Sequence, residues 1–544
     1  MGALPQDVLV LVLRHVEQAE RLSSCALAST AWAKAAAMAS DDISIRTKDL
    51  KPFMPWLQHH GSPVTKFTCA YSGGGKDKRM LSTLPCKNLL ELSLSECMVC
   101  LKTANGRKGI LHAATGLTKL QLKLENQEDL LWGFSSLTAL HSLPALQHFF
   151  LSVRQAVKDH KPFYGDELPS CVVSGLTTLT ELQLEGVLAL ESLQPFSCLA
   201  KLQHLKLGLE LGVADTPKAV QLQQQPFKQL HALTHLSIHL KDCKLVSTSS
   251  SPALSGCMAL QELHLCRALV DASALQGLTG LRVLELVVNP YAELVAVGSV
   301  AALLRHIASM QQLQRLVLGK HHAAALVALP GGDAELCSAV TASPHLEYFE
   351  LTGVSLPRSA WVHMFPPGWR LQHLHGFEVC FDGPSWPVDD THLFDRSRLG
   401  QLVDCCPAVT CLSFRNISLF KRDVSLVPLL RLQQLARLEG PCVVDGADSI
   451  GVLARLTSLT RLYVQALPGL TDVGLLQLTA LMGLQELVVN LEDTRSHSLS
   501  ILEGNHRATF QVGSQDCHAY RPHVWEEHSH SQVNSVYVQA VTDL

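Results

Sequence analysis

The chain has 544 residues, of which 47% are hydrophobic and 17% charged, and its formal net charge is −4. A chain this apolar is no disordered polymer. A balance this near neutrality gives no electrostatic footing on nucleic acid or an anionic membrane, and no run reaches the roughly 20 apolar residues that cross a bilayer.

The first forty residues follow a helical rule. Pro5 suits a first helical turn, and Asp7 sits where the helix dipole favours an anion. Val8, Leu9, Val12, Leu13 and Val16 line one face at helical spacing. Leu22 with residues 25–27 suggests a second short helix, and Trp32 with Ala35, Ala36 and Ala39 a third. The apolar stretch 8–13 is short, with no basic lead, so it does not read as a signal peptide. Gln6 stands where N-myristoylation needs Ser or Thr. An intracellular protein, cytoplasmic or nuclear, is expected.

Leu4-Pro5-x-Asp7-Val8-Leu9-x-x-Val12-Leu13, followed by Leu22, the block 25–27 and Trp32, resembles an F-box. It departs from that family in Val12 for the usual Ile, in Ser29-Thr30-Ala31 before the Trp, and in a short tract after the first helix. The resemblance implies docking on the Skp-type adaptor and cullin core of a ubiquitin ligase. Leu4, Pro5, Val8, Leu9, Val12 and Leu13 would face the adaptor, and Trp32 would anchor the third helix. The other reading is a helical cap that covers the first unit of the array behind it.

From residue 46 to 492 one phrase recurs, Leu-x-x-Leu-x-Leu. It is written at Leu89-Leu92-Leu94, Leu117-Leu120-Leu122, Leu179-Leu182-Leu184, Leu202-Leu205-Leu207, Leu281-Leu284-Leu286, Leu459-Leu462-Val464 and elsewhere, with starts about 21 to 35 residues apart. Such a unit cannot bury its own apolar side and must stack on its neighbours. The phrase resembles leucine-rich repeats. The expected fold is an α/β leucine-rich-repeat solenoid: a horseshoe with a parallel sheet on its concave face, helices and irregular segments on the convex face, and a small helical F-box-like domain over residues 1–45. Val64-Phe67-Cys69 reads as a capping first unit, and Leu374-Phe377-Val379 and Leu435-Leu438 as degenerate ones. The turn Asn or Cys that usually follows the strand is mostly missing, with Cys97 and Asn289 among the few that fit, which predicts irregular loops. One stretch, 467–478, resembles the cysteine-containing repeats found behind F-boxes. Insertions are expected at 71–79, 154–169, 208–226, 245–252 and 382–398, where loop length costs little. Residues 493–544 form a polar tail in which Val533-Val536-Val538 alternates like a last strand.

Side chains at the x positions point to the concave face. Those assigned to partner binding are Phe150, His204, His235, His264, Glu285, Arg315, Tyr348, Glu350, Arg461 and Tyr463. Phe150, Tyr348 and Tyr463 are the candidate anchors, because aromatic and Arg side chains dominate protein–protein hot spots. His204, His235 and His264 hold nearly equivalent places in successive units, and adjacent strands bring such places within about 5 Å. A metal site, a pH-sensitive patch, or chance in a chain with 26 histidines each accounts for the alignment.

No metal or other cofactor is assigned. The 17 cysteines include Cys97-x-x-Cys100 without a second pair and the adjacent Cys405 and Cys406, and they read as free thiols. The tail's His497, His506, His518, His523, His528 and His530, with Cys517, match no known ligand spacing. Gly73-Gly74-Gly75-Lys76 lacks the leading Gly and following Ser or Thr of a phosphate loop, and no catalytic signature occurs. The expected role is therefore non-enzymatic: substrate recognition for an SCF-type ubiquitin ligase, binding an unknown protein target. The alternative is a ligase-independent scaffold or receptor.

Overall fold

The computed structural model describes residues 5–14, 16, 30–39, 41–46, 56–58, 64–70, 88–95, 111, 114–124, 137–153, 173–186, 194–210, 227–241, 254, 256–266, 272–288, 300–320, 327–328, 331–352, 354–355, 359–380, 396–415, 425–440, 447–466, 477–478, 480–491, 510–511 and 535–539. They fall into two units, residues 1–262 and 263–544. Leu4, Cys97, Cys100, Asn289, the Gly73–Lys76 stretch, most of the expected insertions and the tail's histidines lie outside the described residues.

The first unit opens with helices α1 (Gln6–Arg14) and α2 (Thr30–Met38). Pro5 starts α1 by offering its carbonyl to the N–H groups of Val8 and Leu9, both at 3.1 Å. Asp7 in the first turn and Arg14 in the last complement the dipole. Leu9 and Leu13 are buried against Ala35, Ala36 and Ala39, with Val10, Val16 and Trp32 packed at the margin. Small alanines on α2 let the two backbones approach closely.

The strands follow: β1 (Asp42–Arg46), β2 (Lys66–Ala70), β3 (Glu91–Ser95), β4 (Lys119–Leu124), β5 (His148–Val153), β6 (Glu181–Gly186), β7 (His204–Glu210) and β8 (His235–Lys241). Extended backbone sends alternate side chains to opposite faces, so the second and third apolar residues of each phrase share one side. Parallel pairing in constant register then lines Ile43, Phe67, Leu92, Leu120, Phe149, Leu182, Leu205 and Leu236 into a single column. Every member is buried. Gly186 closes β6 at φ +99°, where a Cβ would stand 1.9 Å from the Val153 carbonyl oxygen. β1 is a strand the sequence did not announce, since Ile43 and Ile45 carry only half of the phrase. Strand β9 (Glu262–Cys266) spans the boundary between the units.

The second unit repeats the rule with β10 (Val283–Val288), β11 (Arg315–Lys320), β13 (Tyr348–Thr352), β15 (Gly376–Cys380), β16 (Cys411–Arg415), β17 (Arg437–Gly440), β18 (Arg461–Ala466) and β19 (Glu486–Leu491). Its column runs Leu284, Leu316, Phe349, Phe377, Leu412, Leu438, Leu462 and Leu487. Both units expected to be degenerate thus contribute paired strands. Phe349, Phe377 and Phe414 continue as an aromatic layer joined by Trp361 and Phe365, with centroids 5.4 to 6.3 Å apart. The short strands β12 (Val327–Ala328) and β14 (Val354–Ser355) pair separately. The expected last strand is present as β21 (Ser535–Gln539). It runs antiparallel to β19, with β20 (Phe510–Gln511) beside it.

In-register parallel strands joined by returns of a few turns make an α/β leucine-rich-repeat solenoid. The returns include helices α3 (Val300–Ala308), α4 (Ala360–Met364), α5 (Arg396–Cys405) and α6 (Ala447–Ala454), but several are single 3-10 turns such as Gln194–Cys198 and Ala272–Leu275. The stretch 275–284 belongs to such a return and to the start of β10. A 21-residue unit leaves too few residues between strands for an α-helix.

Where the turn Asn or Cys is missing, threonine at the strand entrance ties neighbouring units. The hydroxyls of Thr65, Thr118, Thr180, Thr234, Thr410 and Thr460 each donate to a carbonyl of the preceding unit at 3.0 to 3.3 Å. The Gln203 oxygen, for one, also accepts the N–H groups of Thr234 and His235.

Candidate functional site

The polar face of the sheet carries the x residues, and constant register sorts them into columns. In the first unit the column just before the buried leucines runs Lys66, Glu91, Lys119, His148, Glu181, His204 and His235. Acidic and basic side chains are interspersed, and much of the column is self-paired. Lys66 Nζ lies 2.8 Å from Asp42, His148 Nδ1 lies 2.9 Å from Glu181, and His235 Nε2 lies 3.2 Å from Glu262. One column over, Lys206 Nζ reaches Glu185 at 2.9 Å. Burial pushes the Glu185 carboxyl up, but hydrogen bonds from Lys206 and Gln183 outweigh it and leave the group below its ordinary range. Phe150 is half-buried between Gln121 and Gln183.

His204 and His235 are register partners, and their rings stack with centroids 4.1 Å apart and planes 18° apart. Burial, then the neighbouring His235, push His204 below the ordinary imidazole range. His264 does not share their column. It follows Leu263 as Lys206 follows Leu205, two residues further along its phrase, and Glu262 holds the place before the leucine. The expected equivalence of the three histidines is corrected by that two-residue offset.

In the second unit His264 Nδ1 and Arg315 Nε each reach the Glu285 carboxylate at 2.7 Å. Burial alone would raise Glu285, but these two partners hold it down at about 2. The Arg315 guanidinium also sits 4.0 Å from the centroid of Tyr348. The Tyr348 hydroxyl donates to Glu350 Oε2 at 2.9 Å, and Thr352 donates to the other oxygen at 3.2 Å. Burial, then the nearby glutamates, push the Tyr348 phenol far up. Its ring lies over Gly376, where a Cβ would meet it at 2.4 Å. Five assigned residues, His264, Glu285, Arg315, Tyr348 and Glu350, therefore form one connected group. Arg461 pairs with Glu486 at 3.3 Å, while Tyr463 is half-buried beside Glu439 in register. Sequence reasoning passed over Glu378, the register partner of Glu350. Its signal was a Glu at the x position of a unit read as degenerate.

On α1, Val8 is 39% and Val12 46% exposed, with Leu11 and, on α2, Met38 exposed beside them. Pro5 is exposed as well. The F-box resemblance set Leu9 and Leu13 on the same docking face, but here both face α2. A nine-residue helix that packs one side against a neighbour has room for only part of its apolar residues on the other.

Among the described residues no three His, Cys, Asp or Glu side chains converge to hold a metal, and no helix is long and apolar enough to cross a membrane. No family model and no curated protein matches this chain. Among solved structures, an internalin of Listeria monocytogenes is 15% identical, with a TM-score of 0.40 over 77% of this chain and 89% of that one. A leucine-rich-repeat protein of Leptospira interrogans is 15% identical, with a TM-score of 0.40 over 82% of this chain and 100% of that one. The yeast Rad7–Elc1 complex is matched at 15% identity and a TM-score of 0.33, over 80% of this chain and 92% of that one.

Proposed function

We propose that the chain is the substrate-recognition subunit of an SCF-type ubiquitin ligase. Helices α1 and α2 dock the Skp-type adaptor, and the polar face of the repeat sheet holds a protein target. The observation that carries the docking half is the outward row of Pro5, Val8, Leu11, Val12 and Met38. Apolar side chains held outward by a helix pair with its own small core are what a partner's groove would cover. The target half rests on the repeat sheet, whose Tyr348 is already fixed by Arg315, Glu350 and Gly376. An anchor fixed in advance loses less entropy on binding. The chain then does no chemistry of its own. Holding a target beside a conjugating enzyme raises its effective concentration there.

Co-expression with a Skp-type adaptor tests the reading. The wild type co-purifies, and Val8→Asp with Val12→Asp abolishes this while leaving the melting temperature unchanged, because both side chains are exposed. Leu9→Asp is the wrong probe, since it places a charge in the helical core. A wild type that fails to hold the adaptor assigns α1 and α2 to capping the array and leaves a ligase-independent scaffold.

A further inference from the structure

We infer that the stacked His204–His235 pair is a one-proton element of the target-binding face, through which a carboxylate of the bound protein is taken up together with a proton on His204. The inference rests on the sheet face being the target surface.

The hydrogen bonds around His235 divide the two rings into unequal roles. Its Nδ1 lies 2.8 Å from the Thr234 hydroxyl, and that hydroxyl donates its single proton to the Gln203 carbonyl at 3.0 Å. On the other side, Nε2 faces a Glu262 carboxylate oxygen at 3.2 Å. Of the two rings, His235 is the one set against a carboxylate oxygen.

Protons on both rings would set like charges about one ring stack apart. The charged groups around His204 do not remove that conflict. Glu181 on β6 is engaged by His148, Glu262 by His235, and Lys206, on the same face of β7, by Glu185. His204 therefore stays neutral near neutral pH, with its ring exposed on the face. A carboxylate arriving from the target supplies the missing countercharge, and His204 takes a proton as it binds. By linkage, binding of an acidic segment strengthens as pH falls through the imidazole range, and binding of a basic one does not.

The full-length chain with selectively labelled histidines tests the first half by NMR, with no partner present. The His204 midpoint should rise in His235→Gln, and rise likewise in His235→Phe, which keeps a ring in the stack but no charge. An unmoved His204 midpoint in folded His235→Phe overturns the pair. The second half is read with fluorescent hexaglutamate. Between about pH 7.5 and 5.5, its affinity for the wild type should gain about fivefold more than for His204→Gln, the factor one unit charge at roughly 4 Å supplies in water. An equal gain in the two proteins overturns the uptake. Neither measurement involves the adaptor, so a failed co-purification and a failed histidine pair are told apart.

Discussion

At the scale of single residues, the second unit's face is organised around Glu285. Its carboxyl is held at about 2 by His264 and Arg315 despite burial that opposes ionisation. In an unfolded chain a Glu protonates near 4.3. The folded state therefore binds fewer protons between those values, so Glu285 stabilises above that range and its contribution is lost as pH falls through it. Glu285→Gln should lower the melting temperature at neutral pH and flatten the acid limb of the stability profile, read by circular dichroism melts from about pH 7 to 2. His204 has the same sign for another reason. Its folded value is depressed, so the unfolded chain takes the proton first as pH drops below about 6.5, and the native state loses ground there. Gly376→Ala would drive a methyl group into the Tyr348 ring. We expect roughly 1 to 3 kcal/mol of destabilisation, the usual cost of overpacking, and a Tyr348 displaced from Arg315, visible as a change in tyrosine near-UV circular dichroism. This group was only partly legible in the sequence. Glu285, Arg315, Tyr348 and Glu350 stood out as x residues, but their joining into one network depends on strand register, which no single phrase encodes. The histidine offset was legible, since His264 follows a leucine while His204 and His235 precede one.

At the scale of elements, alternation named nearly every strand because a buried column needs the same two apolar positions in each unit. β1 escaped because its phrase is truncated to Ile43 and Ile45. In the returns a leucine every three residues fits a 3-10 turn as well as an α-helix, so spacing alone did not separate the two. The threonine ladder escaped for a different reason. Thr is unremarkable at a strand entrance until the preceding unit's carbonyl is brought under its hydroxyl. Thr234→Val, nearly isosteric, should cost about 1 kcal/mol in chemical denaturation. It should also remove the hydrogen-bond partner of His235 Nδ1. A Val variant as stable as the wild type would demote the ladder to a by-product of backbone pairing.

At the scale of the whole molecule, stability in a stacked array is a sum of unit and nearest-neighbour terms. Leu236→Ala removes a fully buried member of the first unit's column and should cost about 2 to 5 kcal/mol. Hydrogen exchange should then speed most in β7 and β8, while the second unit's strands keep their protection. Uniform loss of protection along the chain would mean that the two units unfold as one.

Strand β21 ends the second unit by running backwards along β19. A parallel stack is an open-ended polymer in miniature, because each strand presents the next with the hydrogen-bonding template it was itself given. A reversed strand offers the wrong template, and part of its outer edge, at Tyr537 and Val538, is already taken by the two-residue strand β20. A strand from another copy arriving in the orientation of the repeats finds on the rest of β21 spacing meant for its opposite, so direction and a covered edge together oppose growth of the stack there.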